Sequence, residues 1–337
     1  PKKGGLMYKR MYGVETFVVG NVAEALYLAK QSLESKGEII DTRVGKAKEF
    51  PTPVAITYNS PKERVIFYEK RDANPIFHFM ESLWMLNGSN SLHFVEYFNK
   101  RMRDFSDDNI TLSGAYGHRW RKHFGYDQLG LIIDRLNEYK NDRRAVLSMW
   151  DANQDLTFTD DWKDLPCNTH VYFSIRNDYL DMTVCNRSND LIWGCCGANA
   201  VHMSFLQEYI ATMCNVKCGI YTQFTHNLHA YLDTLETLKD MHPDYDSYAV
   251  RQLDYQTPLI TSKLTFDDEL KLFQKFNLDR KYENKIFTEV AIPMFRLWKA
   301  WKSKNYYDCL KYVAEIKSDD WRVACQEWVV RRKDKFV

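Results

Sequence analysis

A chain of both strands and helices is predicted by three observations. Runs of β-branched and alternating residues sit in pairs that a turn could join. Longer runs with helical spacing separate those pairs. From residue 284 onward only helix-like segments occur. In order along the chain, residues 21–36 set Val22, Ala25, Leu26, Leu28, Ala29 and Leu33 on one face, which predicts an amphipathic helix. Residues 54–58 and 65–68 flank Asn59-Ser60-Pro61 and predict two strands joined by a turn. Asn74-Pro75 opens a helix over 75–87 with Phe79, Leu83 and Leu86 aligned. Strands are expected at 144–150 and 169–175, with 179–186 returning through Asn177-Asp178, and a long helix over 198–213. Three helices are expected at 286–302, 304–316 and 318–332, the last capped by Ser318 with Asp319 and Asp320 in its first turn. Trp298, Trp301, Tyr306, Trp321 and Trp328 would bury these helices against each other or the main body. The expected division is a catalytic domain over 1–283 and a helical appendage over 284–337.

Composition excludes several function classes. Hydrophobic residues at 45% and charged residues at 27% are ordinary for a globular chain long enough to bury a large core. A formal net charge of +1 gives no reason to expect a nucleic-acid groove or a membrane surface as partner. No apolar run approaches the roughly 20 residues of a membrane span, and no signal-peptide pattern opens the chain. Eight cysteines occur, but Cys195-Cys196 and Cys214…Cys218 lack the companion histidines of a zinc site, so no metal is expected. A reduced cytosol is the expected compartment.

The chemistry is most legible where Leu165-Pro166-Cys167-Asn168 is followed by Arg187-Ser188-Asn189-Asp190. A thiol attacks carbon only as thiolate, and a nearby guanidinium lowers its pKa while offering a fork to a phosphate. One arginine serving both purposes suggests a nucleophilic cysteine whose substrate carries a phosphate. A Pro-Cys turn beside a buried inert thiol is the competing reading of that dipeptide alone.

Six ordered blocks weigh against the inert reading: Glu81-Ser82-Leu83-Trp84, Tyr116-Gly117-His118-Arg119-Trp120, Arg143-Arg144-Ala145-Val146, Pro166-Cys167, Arg187-Ser188-Asn189-Asp190 and His229-Ala230-Tyr231. Together they resemble the thymidylate synthase family. The resemblance implies an α+β fold with a large mixed sheet, helices on one face, and a homodimer packed sheet to sheet with shared active sites. It also implies a pyrimidine nucleoside monophosphate as substrate and 5,10-methylenetetrahydrofolate as co-substrate. Cys167 would add to C6 and make C5 nucleophilic. Glu81, set among apolar neighbours, would relay protons, and Tyr116 and Asn168 would line the reacting ring. Arg187, Ser188 and Arg43 would hold the phosphate, with Arg143 and Arg144 reaching in from the partner. His229 and Tyr231 would bind the sugar hydroxyl. Asp190 and Trp84 would contact the folate.

Three departures from the synthase pattern bear on the product. Met102, with Phe105 nearby, stands where the family's shielding tryptophan is expected. Arg331-Arg332-Lys333-Asp334-Lys335-Phe336-Val337 replaces the short apolar closing tail, and Asn168 replaces a histidine. Admitting water to the electrophilic intermediate would yield hydroxymethyl rather than methyl, so the chain looks like the phage hydroxymethylase branch, with reductive methylation as the alternative. Base choice turns on Ala198 by an ungapped count or Asn199 after a one-residue insertion. An asparagine matches both N3–H and O4 of uracil, which favours dUMP over dCMP. A catalytically silent relative would have no use for Cys167, Arg187 and Asp190 together. A hydrolase built on Cys167 and His170 would leave the arginines unexplained.

Overall fold

A computed structural model describes residues 13–157, 162–243 and 247–336. Its framework is a six-stranded mixed sheet in the order β1-β4-β9-β7-β6-β5. The strands are β1 (Glu15–Val19), β4 (Val54–Tyr58), β5 (Val146–Ser148), β6 (Asn168–Arg176), β7 (Tyr179–Asn186) and β9 (Lys217–Thr225). The pairs β1–β4 and β7–β9 run parallel and the others antiparallel. A four-stranded sheet, β2-β3-β10-β8, joins β2 (Glu38–Thr42), β3 (Gly45–Glu49), β10 (Leu228–Tyr231) and β8 (Asn189–Asp190).

The hairpin expected between 169–175 and 179–186 forms as β6–β7, and Asn177 and Asp178 both take positive φ (50° and 61°), the handedness a tight hairpin turn requires. The helix Val22–Lys36 starts where Asn21 accepts the amides of Ala23 and Glu24, and Pro75–Leu86 starts where Asn74 accepts Phe77 N–H. Alternation along the sheet sorts its faces. Val171, Phe173, Leu180, Met182, Val54 and Ile56 are buried, whereas Tyr172 stands 44% exposed on the opposite side. The helix Asn199–Met213 lies against β7 and β9, and Pro75–Leu86 packs onto that helix.

Two local expectations are corrected. Residues 65–68 form no strand: β4 is already flanked by β1 and β9, so neither edge is open to a hairpin partner. Val65 N–H instead donates to the Tyr248 hydroxyl. Ser318 occupies the cap position of Asp319–Val330 without capping it; its hydroxyl donates to Asp320 and accepts Thr257 N–H.

The C-terminal helices Ile292–Lys302, Tyr306–Glu315 and Asp319–Val330 join the same core. Trp321 meets Phe79 edge-on with ring centres 5.2 Å apart, and Trp298 Nε1 donates to the Tyr97 carbonyl. The basic tail folds back on this layer. Arg331 and Arg332 pair with Asp72, and Phe336 packs on Trp301 and Tyr306; Val337 lies outside the described residues.

Candidate active site

The β6–β7 hairpin decides the centre of the site. Cys167 immediately precedes β6 and Arg187 immediately follows β7, so the antiparallel register brings both to one end of the sheet. Arg187 N–H donates to the Cys167 carbonyl at 3.0 Å, and its guanidinium braces the loop through Pro166 O at 3.0 Å and Leu165 O at 3.4 Å. The rest of that guanidinium is exposed, with Trp150 beneath it at 5.7 Å and Ser188 half-buried alongside. Burial pushes the Cys167 thiol up, Arg187 and the neighbouring Tyr116 hydroxyl pull it down, and Asp164 pushes it up again. Tyr116 opens the helix Tyr116–Arg121 and is itself held protonated chiefly by burial.

Asp164 is a neighbour that no motif disclosed. Its carboxylate accepts Gly114 N–H at 2.8 Å, and burial raises its pKa to about 6. Gly114 lets it sit this close: a Cβ there would stand 2.7 Å from Asp164 Oδ1, and the carboxylate would have to shift. Asn168 is fully buried and donates to Asn186, which leaves Asn168 Oδ1 without a protein partner.

Glu81 comes to the site from the helix Pro75–Leu86. Its Oε2 lies 2.9 Å from His202 Nε2, both side chains being buried, but the two atoms are not aligned as a hydrogen bond. His202 Nδ1 also lacks a partner. Sequence reading missed His202, although its spacing of three from Asn199 puts both on one face of the helix Asn199–Met213. Asn199, not Ala198, is the residue that binds a neighbour here: its Nδ2 donates to Asn189 Oδ1 at 3.0 Å. The preceding turn, Leu191–Ala198, is π-helical with a kink at Cys196 and Gly197.

The second sheet supplies a further wall. His229 on β10 is in register with Asp190 on β8, and Tyr231 meets His229 edge-on at 5.6 Å. Asp190 Oδ1 caps the π-turn by accepting Ile192 and Trp193 N–H; its Oδ2 is buried without a partner, as is His229 Nδ1. Burial raises Asp190, against the Trp193 amide, His229 and Arg71. Arg71, also unforeseen, donates to Ile192 O at 3.0 Å and lies over the Trp193 ring at 4.2 Å, with burial lowering its pKa to about 10.

Other expected residues stand apart within one chain. Arg43 is exposed at the tip of the β2–β3 hairpin. Arg143 and Arg144 are exposed before β5, where Val146 pairs with Tyr172, toward the end of β6 remote from Cys167. Arg144 is tied to Asp142. Trp84 is buried with its indole N–H spent on Ser91 O, a packing position. Met102 rests half-buried on the core and Phe105 is 48% exposed. Among the described residues no group of three or more His, Cys, Asp or Glu could hold a metal, and no helix is long and apolar enough to cross a membrane.

Known proteins resemble this chain in sequence. The chain is 44% identical over 331 residues, 94% of both chains, to a deoxyuridylate hydroxymethyltransferase of Pseudomonas phage M6. It is 38% identical over 208 residues to the protein of that name from Bacillus phage SP01, covering 59% of this chain and 54% of the relative. A thymidylate synthase of Enterobacteria phage T4 is 28% identical over 177 residues, 48% of this chain and 60% of the relative. The profile of the thymidylate synthase family matches residues 33–282, and this chain belongs to that family of one-carbon transferases.

Proposed function

We propose that the chain hydroxymethylates C5 of dUMP, taking the one-carbon unit from methylenetetrahydrofolate and an oxygen from water. The observation that carries this reading is the 44% identity, over 94% of both chains, to a phage protein named for that activity. The arrangement of Cys167, Arg187, Tyr116, Glu81, His202 and Asn199 supports it.

Cys167 attacks C6 as thiolate, with Arg187 lowering the cost of its charge and presenting its open side to the 5′-phosphate. Tyr116, beside Cys167, orients the thiol. Glu81 and His202 are the proton-holding pair beside the ring, and Asn199 reads the base. His229 and Tyr231 face the sugar. Asn168 Oδ1 and Asp190 Oδ2 are buried acceptors without protein partners, and a pterin, rich in N–H donors, fits Asp190. When bound, the folate supplies a one-carbon unit at the oxidation level of formaldehyde. Met102, where the family's shielding tryptophan is expected, would screen the intermediate from water less than an indole does.

The same reading covers assembly. The face of the large sheet turned away from the helices carries Tyr172 and the Thr57–Thr222 hydrogen bond, and would pair with its twin in a homodimer. Arg143 and Arg144 would then serve the partner's phosphate site. A family match ending at 282 supports reading 284–337 as helices added to a catalytic 1–283 and packed onto the same core. Relatives from phages support the host cytoplasm as the working compartment.

Mass spectrometry of product tests the reaction, with dUMP and dCMP incubated separately with protein and methylenetetrahydrofolate. A gain of CH2O on dUMP is expected. A gain of CH2 would make the chain a reductive synthase, and a gain on dCMP alone would overturn the base assignment.

A further inference from the structure

Behind Asn199 lies a row of buried amides whose polarity is set at its far end. Gln223 Nε2 donates to the Cys195 carbonyl at 2.8 Å and to the Tyr58 hydroxyl at 3.0 Å. Gln223 Oε1 accepts from Asn189 Nδ2 at 3.3 Å, and Asn189 Oδ1 accepts from Asn199 Nδ2 at 3.0 Å. Gln223 is fully buried and the two asparagines nearly so.

A backbone carbonyl can only accept. The end of Gln223 that faces Cys195 must therefore be nitrogen, and its oxygen must face Asn189. Asn189 must then answer with nitrogen and turn its oxygen to Asn199. Reversing any one amide sets oxygen against oxygen, or N–H against N–H, in a dry interior. One main-chain carbonyl thus dictates the orientation of Asn199 two side chains away. Asn199 is left with Oδ1 unbonded among the described residues and one amide hydrogen free.

We propose that Asn189 and Gln223 are positioning residues for base selection, holding Asn199 in the orientation that reads uracil and refuses cytosine. The proposal rests on the dUMP reading above and adds to it the origin of the discrimination. Uracil offers N3–H to an oxygen and O4 to an N–H, which the held amide supplies. Cytosine offers a bare N3 and an amino group and needs the reversed amide, which the relay forbids. Cytosine then meets like groups at both positions, the situation in which hydrogen-bonding sites discriminate most strongly. Gly194 is part of the arrangement, since a Cβ there would fall 2.2 Å from Asn189 Oδ1.

The test compares kcat/KM for dUMP and dCMP in the wild-type chain, N189A, Q223M and the double variant, each checked for a cooperative thermal transition. Either single change breaks the relay at a different link. Each is expected to lower the dUMP-to-dCMP ratio at least roughly tenfold, and the double variant no further than the larger single effect, because both act through one amide. A ratio unchanged in whichever variant folds overturns the relay. So does an equal fall on both nucleotides, which is what loosened packing alone would produce. A wild-type chain that modifies neither nucleotide, or only dCMP, overturns the dUMP reading itself, and the relay's role with it.

Discussion

Two buried polar regions of this molecule are finished in opposite ways. Arg119 is wholly buried, and its guanidinium meets both Asp155 oxygens at 2.7 and 2.8 Å, Met149 O at 2.9 Å and Ser113 O at 3.1 Å. Gln128 closes the same knot by bonding Arg119 O and Ser148. Around Cys167 the pattern reverses. Glu81 Oε2, both His202 nitrogens, Asn168 Oδ1, Asp190 Oδ2 and His229 Nδ1 are buried without a hydrogen bond. Each such atom costs on the order of 1–3 kcal/mol in a folded chain. The first region satisfies its polar groups within the fold, and the second leaves them without protein partners. Both contain residues from the family blocks, so a motif residue alone does not say which kind it is.

The largest expected effect is chemical. Cys167→Ala should lower kcat/KM by at least roughly 10³-fold with an unchanged thermal transition, by steady-state assay and melting. Loss of stability as well would mean that Cys167 belongs with the fold-holding groups.

The contrast is then sharpest between Asp155 and Glu81. Asp155→Ala strands a buried guanidinium and should cost about 3–5 kcal/mol in denaturant titration. Glu81→Gln should cost less than about 1 kcal/mol, or even stabilise, because it removes an ill-partnered carboxylate. Its activity should fall roughly 10²-fold or more. Equal stability losses in the two variants would erase the distinction between the regions.

A pH series probes the Cys167 environment. Burial and the Asp164 carboxylate hold the thiol above its ordinary range, so alkylation of Cys167, followed by peptide mass, should climb as pH rises through that raised value. Asp164 ionises near its own pKa of about 6 and is negative above it. Asp164→Asn removes that charge and should shift the alkylation curve to lower pH. A shift upward would show that Asp164 aids the thiolate. The smallest effect should come far from both regions: Asn21→Ala removes the cap of the first helix and should cost about 1 kcal/mol, with no change in kcat/KM.

Much of this was legible without coordinates, for reasons that differ by residue. Asn74-Pro75 and Asn177-Asp178 act on their own backbone, so their helix start and hairpin turn could be read directly. Cys167 and Arg187 could be tied together because the hairpin between them is local and its register brings its ends together. Residues 65–68 misled because a strand needs a free edge, and β4 spends both of its edges on β1 and on β9, which lies far along the chain. Asp164 and His202 carried no motif. Their surroundings come from Gly114 and Glu81, fifty or more residues away in sequence. Arg119 looked like its motif neighbours and proved to be a structural cation because Asp155 closes on it.

The sequence by itself determined the class of chemistry. A cysteine, an arginine and two carboxylates in ordered blocks need only short-range context to be recognised, and side-chain chemistry does not change with distance. The tertiary structure alone decided that Asn199 meets Asn189, at the end of a π-turn. It also decided which way that amide points, since the answer lies in a carbonyl on Cys195 and a glutamine on β9. Hydrogen-bond polarity is passed from group to group through space, and sequence order does not encode which groups meet.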